Sequence, residues 1–221
     1  MKSPKPKFSS LSHKYIVSLA GLFLMLFLCF HLFTNLLMLK GDGESFKQAV
    51  AFLSSNPLIK IMEYVLFAVF IIHILFGIIV WINNSRARPV KYHVAQSSET
   101  SYFSKFMIHT GLIILAFLII HLNSFFFIKL GWAPLPNNVA DQYDFFSMAV
   151  VKFQNPLYSL VYLVSFVFLG FHLNHAFQSA FQTLGLNHAK YFGVVKIIGT
   201  LYALTISLGF SIIPVYFLFF Y

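Results

Sequence analysis

Cysteine occurs once in 221 residues, at Cys29. A single thiol cannot form an internal disulfide, a thiolate-ligated iron–sulfur cluster or the Cys-x-x-Cys-His attachment of a covalent haem, so any redox group is held without cysteine. Acids are nearly as scarce: Asp and Glu together number six, and charged residues make up 10% of the chain. The last three hydrophobic stretches contain neither Asp nor Glu, which removes support for a carboxylate proton relay across the whole membrane. Low-complexity segments and internal repeats are also missing.

What fills the chain instead is apolar. Hydrophobic residues reach 59%, 29 of them Phe, and the mean hydropathy is +0.80, too apolar for an ordinary soluble domain. Five long apolar stretches, roughly 14–39, 57–83, 103–130, 155–184 and 190–220, each exceed the ~20 residues that span a bilayer. The expectation is an all-α membrane protein, one domain over 1–221 with five transmembrane helices, the first four forming a cofactor-binding bundle. The first stretch is too long for a signal-peptide core and lacks a small-x-small cleavage site, so it should remain as a helix.

Charge sets the orientation. Lys2, Lys5, Lys7 and Lys14, then Arg86, Arg88, Lys91 and Lys105, then Lys190 and Lys196 fall on one side, whereas the opposite loops mix Lys40, Asp42, Glu44 and Lys47 with Asp141, Asp144 and Lys152. The positive-inside rule places the N-terminus in the cytoplasm. The net charge of +9 is then mainly a topology signal and gives little support for nucleic-acid binding.

Helix ends are legible too. Asn56-Pro57 and Asn155-Pro156 open helices, while Lys40-Gly41-Asp42-Gly43 and Gly131-Trp132-Ala133-Pro134 close them. Trp81 and Trp132 suit opposite interfaces, and Pro214 is a candidate kink in the last helix.

Six of the nine histidines (His31, His73, His109, His121, His172 and His175) fall within the spans, where ionisable groups default to a functional reading. Neutral imidazole is an axial ligand for haem iron. His31 and His121 each lie about eight or nine residues before the outer end of an outward-running helix, so their depths agree within a turn. His73 and His172 each lie about sixteen residues past an entry proline and match each other, ~8 residues or roughly 12 Å nearer the cytoplasm. Four helices so furnished could hold two stacked bis-histidine haems, with Gly77 near His73 and Gly170 near His172 admitting the macrocycle. The plainer reading is that such histidines join helices by hydrogen bonds.

The run SHKYIVSLAGLFLMLFLCFHLFTNLL, the run NPLIKIMEYVLFAVFIIHILFGI, the His121 helix and FHLNHAFQSAFQTLG together resemble the five-helix dihaem cytochrome b membrane anchor of succinate:quinone oxidoreductases, which include succinate dehydrogenases and fumarate reductases. The resemblance covers nearly the whole chain and implies two haem b groups, with His31 and His121 as the distal axial ligands and His73 and His172 as the proximal ones. The family pattern matches Phe171, His172, Asn174, Ser179 and Gly185, which favours His172 over His175. His175 then becomes a neighbour of the ligand or of a propionate. The resemblance also implies a flavoprotein subunit with FAD and an iron–sulfur subunit, both cytoplasmic, in a complex sited in the bacterial cytoplasmic (inner) membrane. This multi-pass chain would be its quinone-reactive part, with menaquinone preferred by analogy and the direction of dicarboxylate chemistry set elsewhere.

Remaining candidates are less pointed. His109 reads as a hydrogen-bonding core residue or a propionate contact. Ser12, His13, Lys14, Arg86, Arg88 and His93 could meet proximal propionates or the acidic surface of the iron–sulfur partner, or serve only as positive-inside anchors. Glu63 is the one carboxylate clearly inside a span and could exchange protons with a quinone headgroup, unless it forms an i,i+3 ion pair with Lys60. Asn35 could donate to a quinone carbonyl or to another helix. Competing readings are the cytochrome b subunit of another quinone-linked complex such as a formate dehydrogenase or hydrogenase, a haem-free transporter with a histidine relay, and a bare structural anchor.

Overall fold

The computed structural model describes residues 10–86 and 106–221. Within them the chain is helical, and five helices are long and apolar enough to cross a membrane. The first span, α1, runs Ser10–Leu36 and tightens into a 3₁₀ turn, Leu37–Lys40. It is followed by α2 (Glu44–Ser55), α3 (Pro57–Arg86), α4 (Met107–Lys129), α5 (Phe145–Phe153), α6 (Pro156–Thr183) and α7 (Ala189–Phe219). The spans are α1, α3, α4, α6 and α7, and their bounds lie within a few residues of the apolar stretches. Residues 103–105, with Lys2, Lys5, Lys7, Arg88, Lys91, His93 and Lys105, lie outside the described residues.

The turn chemistry is that expected of the sequence. Asn56 Oδ1 accepts from the Leu58 N–H at 2.9 Å, and Asn155 Oδ1 from Leu157 at 3.0 Å and Tyr158 at 3.2 Å, with proline as the next residue each time. Gly131, at φ +73°, lets the Trp132 N–H reach the Phe127 carbonyl at 2.8 Å and end α4. Inside α4, Leu122–Phe126 form a π turn immediately after His121.

Helices α2 and α5 add to the five expected spans: both are short pieces in the connections that lead into α3 and α6. Gly43 is where they meet, because a Cβ there would stand 2.8 Å from the Phe146 ring. Lys47 reaches Asp144, the N-cap of α5, at 3.8 Å.

Four spans form a ring in which α1 packs on α3, α3 lightly on α4, α4 on α6 and α6 on α1. The fifth, α7, lies outside the ring against α6 and α1, and it carries much of the buried core, including Ile206, Phe210, Ile213 and Phe217. Small residues make that contact possible. A Cβ on Gly199 would meet Phe177 at 2.8 Å, one on Gly209 would meet Leu32 at 2.8 Å, and one on Gly170 would meet Ser207 at 3.2 Å. Hydroxyls seal the seam: Ser207 donates to the Phe166 carbonyl at 2.6 Å, and Tyr202 to that of Met25 at 2.8 Å. Gly170 is therefore taken up by the α6–α7 contact and does not open space beside His172. Pro214 is buried within α7, which continues beyond it. At the other extreme α3 buries no residue in full, and its outer half touches α4 through Phe67 and Phe126, 4.7 Å between ring centroids.

Candidate functional site

The ring brings four histidines together in twos. His31 of α1 faces His121 of α4 with centroids 5.8 Å apart and planes at 84°, and His73 of α3 faces His172 of α6 at 6.4 Å and 75°. Neither α1 and α4 nor α3 and α6 are packed neighbours, so each pair spans a diagonal of the bundle. The histidines meet only because their side chains reach the axis from opposite walls.

The two pairs have different surroundings. Around the outer pair the walls are aromatic: Phe27 stacks on His31 at 5.2 Å, Phe117 on His121 at 5.8 Å, and Phe210 of α7 approaches His31 at 5.6 Å. Beside the inner pair the walls are bare backbone. A Cβ on Gly21 of α1 would lie 3.4 Å from His73, and one on Gly111 of α4 would lie 3.6 Å from His172. These glycines sit on the two helices that do not supply the inner histidines, which is where the rim of a flat group held between His73 and His172 would need clearance. A Cβ on Gly77 would meet nothing within 4 Å, so that position borders open space.

Hydrogen bonds orient the rings. Thr110 donates its one hydroxyl hydrogen to the Met107 carbonyl at 2.9 Å and lies 3.2 Å from His172 Nδ1. With that hydrogen on the carbonyl its oxygen is free to accept from His172 Nδ1–H, the tautomer that leaves Nε2 a bare lone pair. His121 Nδ1 is 3.3 Å from the Tyr162 hydroxyl, which is 2.7 Å from that of Tyr158. Asn35 makes its short bond, 2.7 Å, to the His31 carbonyl and approaches His31 Nδ1 at 3.3 Å. His73 Nδ1 is buried beside the Val17 backbone without a well-formed hydrogen bond among the described residues. None of the four Nε2 atoms has a hydrogen-bond partner among those residues.

A metal ion between two imidazoles sets a definite spacing. Two metal–nitrogen bonds of about 2.0–2.1 Å plus a ring radius of roughly 1.1 Å on each side put the centroids ~6.3 Å apart. The observed 5.8 and 6.4 Å bracket that value. Each pair offers two imidazoles at that spacing, a donor set that would fit the iron of a haem. A flat group would enter between the facing rings, with Gly21 and Gly111 lining its path at the inner pair.

Other candidates fall in varied places. His175 is half-buried one turn from His172 and within electrostatic reach of it. His109 is exposed, its ring 5.8 Å from Phe106, and so is not a core residue. His13 lies against Phe76 at 5.5 Å, at the end of the bundle where Lys14 and Arg86 are exposed. Glu63 pairs with Lys129 of α4, at 2.8 and 3.1 Å, and not with Lys60: a tertiary partner displaces the local one because α4 ends opposite it. Asn174, part of the sequence pattern, ties α6 to α7 by accepting from Thr200 at 3.1 Å.

Sequence reasoning overlooked Thr110, Tyr158, Tyr162, Gly21, Gly111 and Lys129. A usable signal existed for some: Thr110-Gly111 places a hydroxyl and a bare backbone three turns before His121, near the depth assigned to the inner pair. Comparison with family models, curated proteins and solved structures gave no match for this chain.

Proposed function

We propose that this chain is a dihaem cytochrome b membrane anchor, passing electrons between a cytoplasmic flavoprotein and iron–sulfur module and membrane quinone, as in succinate dehydrogenases and fumarate reductases. The observation that carries the reading is the pair of diagonal histidine contacts, each at the spacing of a bis-imidazole site, stacked in one bundle. Haem b held at each pair would supply reversible one-electron exchange between ferrous and ferric iron.

The chain's own residues do the rest. His31 and His121 hold the distal group, His73 and His172 the proximal one, and the aromatic walls keep water from the distal pair. Lys14, Arg86, His13 and Ser12 lie at the proximal end, where cations and hydroxyls would meet propionates and an acidic partner surface; His175 adds a neighbour to His172. Conversion of quinone to quinol takes up two electrons and two protons. The Glu63–Lys129 pair, in the outer half of the bundle, offers exchangeable protons and a cation for a quinone oxygen, with menaquinone the preferred substrate. The positive end of the bundle then faces the bacterial cytoplasm.

A pyridine haemochrome assay on the purified complex, normalised to polypeptide, tests this: two b haems per chain are expected. His31→Ala, His73→Ala, His121→Ala and His172→Ala should each remove one haem, and His175→Ala neither. Fully assembled complex devoid of haem would sink the proposal and favour a bare anchor or a transporter.

A further inference from the structure

Tyr162 is 2% exposed, yet it is a phenol set in the aromatic wall of the outer pair. Its hydroxyl lies between two others: His121 Nδ1 at 3.3 Å and the Tyr158 hydroxyl at 2.7 Å. Beyond Tyr158 the buried Ser124 hydroxyl faces it from the π turn that follows His121, and Lys152 sits over the Tyr158 ring at 5.8 Å. A row of hydroxyls thus leads from the histidine toward the outer end of α6.

Tyr158 donates to Tyr162 at 2.7 Å, and the Tyr162 oxygen keeps a second lone pair on the side of His121. If Tyr162 donated onward to His121 Nδ1, the imidazole proton would sit on Nε2. If His121 Nδ1–H donates to Tyr162 instead, Tyr162 accepts from both sides and Nε2 is left bare toward His31. The inner pair offers the same arrangement, with Thr110 beside His172 Nδ1.

We propose that Tyr162 is the positioning residue of the outer pair: it accepts the His121 Nδ1 hydrogen, frees Nε2 for metal, and is held in place by the hydrogen bond it receives from Tyr158. The inference rests on the dihaem reading. An imidazole whose N–H is given to an acceptor is a stronger donor through its other nitrogen, which stabilises ferric over ferrous iron. Removing the acceptor should raise the midpoint potential of the outer group.

The test is a redox titration of the full complex carrying Tyr162→Phe, with the two midpoints assigned through the His31→Ala and His73→Ala variants. Tyr162→Phe should shift the outer midpoint upward and alter its low-spin ferric resonance while the inner midpoint stays in place. Selective loss of the outer haem from Tyr162→Phe, with the inner retained, would also support the assignment. Two haems with both midpoints and both resonances unmoved would overturn it, and so would loss of both haems, which marks a merely structural phenol. Haem content of the wild-type complex is read separately: its absence fells the dihaem reading itself, whereas its presence with an unmoved midpoint fells only the role of Tyr162.

Discussion

Thr110 stands 3.2 Å from His172 Nδ1 and donates to the Met107 carbonyl at 2.9 Å, which leaves its oxygen free to accept from the imidazole. Partners of this kind fix ring orientation and ligand basicity, and losing one typically costs 10–100-fold in metal affinity. On the dihaem proposal, Thr110→Val, which keeps the shape and removes the oxygen, should therefore deplete the inner haem selectively. Thr110→Ser should retain it. Optical spectra of dithionite-reduced complex, compared at equal polypeptide, check both, and equal haem content in the Val and Ser variants would refute the role.

Gly21 and Gly111 make an opposite kind of prediction, because a helix interior normally improves when glycine is replaced. Alanine gains about 1 kcal/mol in helix propensity over glycine. On the same proposal a leucine at either position, projecting toward His73 or His172 from a Cβ only 3.4 or 3.6 Å away, should nevertheless abolish the inner haem and leave the outer one. The measurement is haem per chain, falling from two to one, alongside a far-ultraviolet spectrum showing unchanged helix. Retention of both haems in Gly21→Leu and Gly111→Leu would show that the clearance is not needed.

Much of this arrangement is legible in the chain because helical rise is linear. Counting residues from Pro57 and Pro156 puts His73 and His172 at one level, and the outer ends of α1 and α4 do the same for His31 and His121; the structure brings those partners together. Rotation about the helix axis is not countable in the same way. The π turn at Leu122–Phe126 shifts the register after His121, so the approach of Ser124 to Tyr158 could not be reached by adding turns. Glu63 illustrates another limit: the local rule offered Lys60, while the shortest path ran to Lys129, 66 residues away. Helices α2 and α5 escape a hydropathy reading because 12 and 9 residues are too short to stand out against five spans. Gly170 reads differently for want of α7, whose Ser207 occupies the space it leaves.

Glu63 and Lys129 are each about a quarter to a third exposed, close enough to bind one another and open enough to admit a third group. If the pair handles quinone protons, Glu63→Gln should lower quinone turnover by roughly 10²-fold, the scale of a lost general acid–base group, without changing haem content. Lys129→Gln should act through quinone KM more than through kcat, since it removes a binding cation. Steady-state kinetics with a soluble quinone analogue separate the two effects. Unchanged kinetics in Glu63→Gln would reduce the pair to a clasp between α3 and α4.

Asp144 ties α5 to α2 and carries a definite pH signature. Burial alone would raise its carboxyl, but the Ser147 hydroxyl at 2.7 Å, the Ser147 N–H at 3.1 Å and the Lys47 ammonium outweigh it, and the group titrates below the ordinary carboxylate range. A folded pKa lower than the unfolded one means stability that is present above the unfolded value, near 3.8, and is lost as pH falls through the folded value. The α2–α5 contact should thus hold from neutral pH to about pH 4 and loosen only below it, by the amount of an N-cap, about 1 kcal/mol. Asp144→Asn keeps an acceptor for the Ser147 N–H and should abolish the acid transition at little cost at pH 7, whereas Asp144→Ala should loosen the region at every pH. Amide exchange across Glu44–Ser55 and Phe145–Phe153, followed from pH 7 to 3 with correction for intrinsic rates, distinguishes these outcomes. An acid transition that survives in Asp144→Asn would refute the assignment. Because Lys47 is 44% exposed and its contact is long, its removal should matter less than loss of the Asp144 cap.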